Sequence, residues 1–294
     1  MKMEERILGM LPISVRKAAA ESVSLSGGHF QELRLYRGGC IHTVCDGRSV
    51  YAKEKCTAED FDLVLRTLCG NSLYAHSETI RDGYIITAEG LRVGVCGRAV
   101  VRRSEVQLVT DITSLCIRIP ARYPQLAHPF LPYILSDSGI AGMLIYSSPG
   151  VGKTTLLREL AALISQPQFG LRCAVVDTRM EIGFGLENGS LNILRGYPRS
   201  LGMETAVRTL APDVVLCDEI SDDRDADAVL QCASSGTSVI ATAHAAGYGD
   251  LERKPALRKL LQNDVFPWRT RLIRKNGMVL RRIQSEDGGT DCAV

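Results

Sequence analysis

The chain has 294 residues, of which 45% are hydrophobic and only 5% aromatic, and its formal net charge is +2. That length suits two domains with cores of Leu, Ile, Val and Ala, and the near-neutral balance excludes a global basic field for nucleic acid while leaving room for a local patch. The 10 cysteines are scattered without a Cys-x-x-Cys pair, which argues against a zinc ribbon, a thioredoxin-type site or a disulfide scaffold and for reduced, mostly buried thiols in a cytosol.

The N-terminal stretch MKMEERILGMLPISVRKAAAESV is charged and amphipathic, unlike a signal peptide. No run approaches the roughly 20 apolar residues of a membrane span. The expected location is cytoplasmic, with any membrane contact peripheral. Residues 3–21 predict a helix with Ile7, Leu8, Leu11 and Val15 along one face, broken by Ser-Gly-Gly-His at 26–29. Strand-like runs follow at 32–36, 40–45 and 48–52, with Asp46-Gly47 as a hairpin turn. Residues 57–69 predict a helix with Thr57 as N-cap and Asp60 in the capping-box position. A helical piece near 72–79, two antiparallel strands in GYIITAEGLRVGVCGRAVVRR and a strand at 111–119 complete an α+β domain over 1–120.

Four prolines, Pro120, Pro124, Pro129 and Pro132, mark 121–138 as a linker. From 139 to 284 the character changes. Continuously apolar strands at 142–147, 171–177, 213–218 and 237–243 alternate with helices near 153–165, 201–211 and 222–235. That pattern is α/β, a mostly parallel sheet with helices on both faces. Residues 264–283 revert to a β-hairpin turning at Asn276-Gly277, and 285–294 read as a disordered tail.

The chemistry lies in the α/β part. SSPGVGKTT (147–155) follows a strand and opens a helix, the layout of a phosphate-binding loop, with Ser147 in place of the first Gly. Backbone N–H groups of Ser148, Pro149, Gly150, Val151, Gly152, Lys153, Thr154 and Thr155, proline excepted, surround the phosphates there with the helix dipole behind them. Lys153 reaches the β- and γ-phosphates, and the Thr154 hydroxyl ligates Mg²⁺. The strand DVVLCDEI delivers Asp218 to hold Mg²⁺ and Glu219 to polarise the attacking water. Two further strand ends reach the same sheet edge, one with Asp177, Arg179 and Glu181, the other with Thr242 and His244, the latter placed to contact the γ-phosphate. No Asn-Lys-x-Asp follows, so ATP is favoured over GTP. SLSGGH (24–29) has the look of a transporter-ATPase signature but precedes the loop, and reads as a turn.

TLAPDVVLCDEISDDRDADAVLQCASSGTSVIATAHA (209–245) resembles the core of the secretion and pilus-assembly ATPases: acidic pair, helix, Gly, strand, then a Thr-x-His box. VVDTRME falls where that superfamily carries an acidic Asp box. Within it the chain is similar to the stage III sporulation protein AA family of endospore-forming Firmicutes. ELRLY, IRDGYIITAEGLRVGVCGRAV and DITSLCIRI resemble that family's N-terminal half. The departures are Ser147 for Gly, Thr178 where an acid is common, which leaves Asp177 and Glu181 to carry the box, and Asp222 where an Arg often follows the acidic pair.

The resemblance implies a RecA-like P-loop ATPase domain behind a smaller α+β domain, a homo-oligomeric ring of six, and ATP with Mg²⁺ bound between the domains. It implies a catalytic set of Lys153, Glu181, Glu219 and His244, with Asp177 at the nucleotide. Arg92 and Arg98, expected on one face of their strand by alternation, and Arg118 are the candidate arginine fingers. The implied role is mechanical: powering or assembling the mother cell–forespore channel, on the mother-cell side, with its membrane proteins as partners. The alternative is a nucleic-acid-binding P-loop ATPase, for which the acid-free stretch with Arg269, Arg271, Arg274, Lys275, Arg281 and Arg282 would contact phosphates. A third reading is a scaffold that binds ATP and scarcely hydrolyses it, against which the pair Asp218-Glu219 argues.

Overall fold

The computed structural model describes residues 3–88, 90–120, 122–136, 139–186, 190–275 and 278–285. The chain divides into two compact units, Met1–Ala121 and Arg122–Val294.

The first unit opens with α1 (Met3–Gly9) and α2 (Ile13–Ser26). The single helix expected over 3–21 is split at Pro12, which has no N–H to continue the ladder and serves as the N-cap of α2. Six strands follow: β1 (Phe30–Tyr36), β2 (Cys40–Cys45), β3 (Arg48–Lys55), β4 (Tyr84–Ile86), β5 (Arg92–Arg102) and β6 (Glu105–Arg118). They form one antiparallel sheet in the order β3-β2-β1-β6-β5-β4. The β2–β3 turn uses Asp46 and Gly47, both at positive φ (45° and 74°), as a two-residue hairpin of this twist requires. Leu33 and Leu35 of β1 are fully buried while Glu32, Arg34 and Tyr36 alternate to the other side. Between β3 and β4 lie α3 (Ala58–Leu68) and α4 (Ser77–Arg81). Thr57 Oγ1 accepts from the Asp60 N–H at 3.0 Å. The Asp60 carboxylate does not close a capping box. It takes a hydrogen bond from Ser14 at 2.8 Å, joining α3 to α2.

Beyond Cys96 the β5–β6 pair continues as a two-stranded ribbon, with Val100, Val101 and Leu108 exposed and Arg103 and Ser104 at positive φ in its turn. The pairing slips at its foot, where Cys96 faces Ser114 but Arg98 faces Thr110. Gly97 occupies that crossing because a Cβ there would lie 2.6 Å from the Thr110 carbonyl oxygen. The regular alternation expected to carry Arg92 and Arg98 on one face is therefore broken between them.

In the second unit, residues 122–136 are not the linker expected from their prolines. Ala127, Phe130 and Ile134 are buried in its core, through two 3₁₀ turns and α5 (Leu131–Ile134). A short pair, β7 (Leu135–Ser136) and β8 (Gly139–Ile140), leads into the main sheet. Its strands are β9 (Met143–Ser147), β10 (Cys173–Asp177), β11 (Leu191–Arg195), β12 (Val214–Cys217), β13 (Ser238–His244), β14 (Trp268–Lys275) and β15 (Met278–Ser285), in the order β11-β10-β12-β13-β9-β14-β15. All neighbours are parallel except β14–β15. The C-terminal hairpin thus extends the parallel sheet beside the strand that feeds the loop; its expected turn residues, Asn276 and Gly277, and the tail beyond Ser285 lie outside the described residues.

The helices are α6 (Lys153–Ile164), α7 (Arg199–Leu210), α8 (Asp223–Ser234), α9 (Tyr248–Arg253) and α10 (Pro255–Gln262). The apolar strands look continuous because each feeds two cores. Leu144, Val176, Val215 and Ala241 enter a core that includes Met203 of α7, Val229 of α8 and Leu257 of α10, while Ile145, Val175, Leu216 and Ile240 enter one that includes Leu157 and Leu160 of α6. Gly202 lets α7 approach β10: a Cβ there would lie 2.5 Å from Val176 Cγ1. Gly202→Ala offers about 1 kcal/mol of helix propensity against about 1–3 kcal/mol of overpacking. The expected result is a lower thermal midpoint; an unchanged or higher one would show that the helix can back away at no cost.

Nine cysteines lie in the described residues, all free. Burial pushes the thiols of Cys56, Cys69 and Cys232 up to about 11 and that of Cys173 to about 12. Cys217 is pushed up further by the same cause. Cys96 is exposed. Among the described residues no helix is long and apolar enough to cross a membrane.

Candidate nucleotide site

The loop after β9 closes onto α6 through Gly150 at φ +73° and Gly152 at φ +118°, conformations that a side chain resists. Lys153, the first residue of α6, is 6% exposed. Its ammonium donates to His244 Nδ1 at 2.8 Å, to the Ser147 carbonyl at 3.2 Å and to Ser147 Oγ at 3.4 Å. Ser147 thus replaces a glycine with a hydroxyl that faces the lysine. An ammonium has no lone pair, so His244 Nδ1 accepts, and its Nε2 lies 3.1 Å from Glu219 Oε2. Arg179 approaches the same Glu219 oxygen at 3.6 Å. Three expected catalytic side chains therefore form one chain of contacts: Lys153, His244, Glu219. Burial pulls the Lys153 ammonium below its ordinary value, Glu219 opposes that, and Lys254 adds to it.

These groups line a cleft of about 380 Å³ together with Pro149, Gly150, Gly152, Thr154, Thr155, Glu181, Asp218 and Thr242. Ser148 opens instead onto an adjoining cavity with Lys254 and Asp250, sharing His244 as a wall. The Val151 side chain packs against the α6 core, leaving only its backbone toward the loop.

Asp177 differs from its expected place at the nucleotide. It is 1% exposed, and its carboxylate accepts the backbone N–H groups of Glu181, Ile182 and Gly183 at 2.9, 3.0 and 2.7 Å. A strand-end acid on the ligand edge suits a loop anchor equally well, and here the anchor sets Glu181 on the cleft wall. The expected arginines already have partners within their own unit: Arg92 lies 4.0 Å over the Tyr84 ring, Arg98 pairs with Asp111 at 2.8 Å, and Arg118 with Glu32 at 3.5 Å. The basic hairpin is not one phosphate-facing surface either. Arg269 is buried near the Tyr248 ring and Arg281 lies over Phe130, while Arg271 and Arg282 stand opposite each other in the strand register.

Sequence reading missed Arg199. Its guanidinium donates from Nε and from one terminal nitrogen to Asp218 Oδ1, both at 3.0 Å, and from the other to Asp225 Oδ2 at 2.5 Å. Burial pushes the Asp218 carboxyl above its ordinary range, and Arg199 opposes it. The only sequence signal is a Pro-Arg pair at a helix start.

The family described as Sporulation stage III, protein AA matches residues 1–284. The chain belongs to that family. Stage III sporulation protein AA of Bacillus subtilis (strain 168) is 32% identical over 293 residues, 96% of this chain and 95% of that one. Among solved structures, the Legionella pneumophila ATPase DotB superposes with a TM-score of 0.62 at 15% identity, over 94% of this chain and 81% of its own. The pilus retraction motor PilT with bound ADP gives 0.60 at 16% identity, over 90% of this chain and 81% of its own. At such identities these likenesses establish the fold: this member of the sporulation family has the RecA-like P-loop fold of the secretion ATPases behind an N-terminal antiparallel sheet.

Proposed function

We propose that the chain is an ATP-hydrolysing mechanical ATPase of the secretion type, working as a ring of six to power or assemble the mother cell–forespore channel from the cytoplasmic, mother-cell side. The observation that supports this reading best is the convergence of Lys153, His244 and Glu219 in one cleft at the mouth of a phosphate-binding loop. When phosphates enter, Lys153 exchanges its carbonyl and imidazole partners for phosphate oxygens, a charge-assisted gain. That exchange frees His244 Nδ1. Glu219, at the edge of the cleft, orients and polarises the attacking water.

The donor set suits Mg²⁺: a hydroxyl on Thr154 and a carboxylate on Asp218, both hard oxygens lining the cleft, with the remaining positions left to substrate phosphates and water. Mg²⁺ bound there would neutralise charge on the β- and γ-phosphates. The channel, its membrane proteins and the compartment are drawn from the family resemblance and are the finer part of the proposal.

The test is ATP hydrolysis combined with size-exclusion light scattering, for wild type and Lys153→Ala, with and without single-stranded DNA. Hydrolysis and nucleotide-dependent assembly that vanish in the variant and ignore DNA are expected. DNA-stimulated hydrolysis by a monomer would replace this reading with the nucleic-acid one.

A further inference from the structure

We infer that Arg199 is the positioning residue for the metal-facing carboxylate, a brace that fixes Asp218 against the end of α8; this rests on the reading of Asp218 as the Mg²⁺ carboxylate. Arg199 is the first residue of α7, while Asp218 follows β12 and Asp225 lies in the first turn of α8. One guanidinium thus joins three elements. Its side chain is 9% exposed, and those of Asp218 and Asp225 are 8% and 6% exposed.

The division of labour among the oxygens is informative. Asp218 Oδ1 takes both hydrogen bonds from Arg199. Among the described residues no protein donor bonds its Oδ2, which leaves that oxygen for a metal-bound water. Asp225 Oδ2 accepts from Arg199 and also from the Ser221 N–H at 3.0 Å and its hydroxyl at 3.1 Å. The brace therefore holds the turn between Asp218 and α8, in which Glu219 sits. One guanidinium between two carboxylates leaves a single net negative charge beside the cleft, the sign a cation needs. A lysine would supply the charge without the planar fork that engages two carboxylates at once.

Residues that orient a metal-facing ligand change metal affinity by about 10–100-fold when removed. The experiment titrates a fluorescent ADP analogue into the full chain with and without Mg²⁺, and Mn²⁺ by its electron-spin resonance in the presence of ADP. Arg199→Gln, Arg199→Lys and Asp225→Asn are compared with wild type, each first checked for an intact thermal transition. Arg199→Gln is expected to bind ADP without metal as wild type does, within about twofold, while Mn²⁺ affinity falls about 10-fold or more. Asp225→Asn, which leaves Arg199 and Asp218 in place, should shift Mn²⁺ affinity in the same direction by less, and Arg199→Lys should rescue only in part.

An unaltered Mn²⁺ affinity in Arg199→Gln and Asp225→Asn would overturn the assignment. So would equal losses of metal-free and metal-dependent binding, which mean a purely structural role. A wild type indifferent to metal would remove the Mg²⁺ reading itself and the brace with it. That failure is visible before any substitution is made.

Discussion

Glu219→Gln is expected to bind ATP normally and to hydrolyse it about 10²–10⁴-fold more slowly, the range for loss of a general base. The substitution is close to isosteric, and an amide oxygen can still occupy the place of Glu219 Oε2, 3.1 Å from His244 Nε2. The contacts on Lys153, which carry phosphate affinity, lie one step further along and do not involve Glu219 directly. What disappears is the capacity to take a proton and the negative charge that polarises water. Binding and chemistry should therefore separate, with the affinity of a fluorescent ATP analogue preserved and the single-turnover rate collapsed. Equal rates in wild type and variant would move the base elsewhere, with Glu181 on the cleft wall next in line. A parallel loss of affinity would mean instead that the Lys153–His244–Glu219 chain holds the loop in shape.

Glu159→Ala is expected to destabilise the second unit by about 3–5 kcal/mol, the usual cost of removing one partner from a buried ion pair. Glu159 lies on α6 and its side chain is 1% exposed. Arg122 forks onto it at 2.9 and 3.1 Å, and the Tyr123 N–H adds a third bond at 3.0 Å. Alanine would leave a guanidinium and a backbone donor without their acceptor and open a cavity beneath them. Arg122 is 29% exposed, so water recovers part of the loss and the lower end of the range is the better expectation. Urea denaturation followed by far-ultraviolet circular dichroism measures it, analysed for each unit where two transitions appear. A shift below about 1 kcal/mol would show that the pair contributes no more than a surface ion pair does.

The legible parts of this protein are those whose signal is local. A loop with two positive-φ glycines, apolar strands ending in acids, and a Thr capping a helix can each be read from a few neighbouring residues. What escaped depends on distance. β11 offers only Leu-Asn-Ile-Leu-Arg, too diluted with polar residues to stand out, yet it completes the sheet beside β10. The C-terminal hairpin was readable as a hairpin, but nothing in its residues says that β14 pairs with the loop-feeding strand. Prolines at 120–132 suggested a linker, whereas Phe130 and Ile134 already had a core to enter. Arg199 finds both its carboxylates only after the topology has brought α7, β12 and α8 together. Asp177 differs from its expected place for the opposite reason: its partners are its own near neighbours, so this acid at the sheet edge anchors the turn that follows it.

The distribution of thiols has a practical side. Alkylating reagents attack thiolates, and burial keeps Cys56, Cys69, Cys173, Cys217 and Cys232 protonated well above neutral pH. Cys96, exposed at the foot of the β5–β6 ribbon, is the most accessible thiol among the described residues. Among the described residues Cys96 thus offers an attachment point for a maleimide dye, at the bend where a long ribbon leaves the sheet.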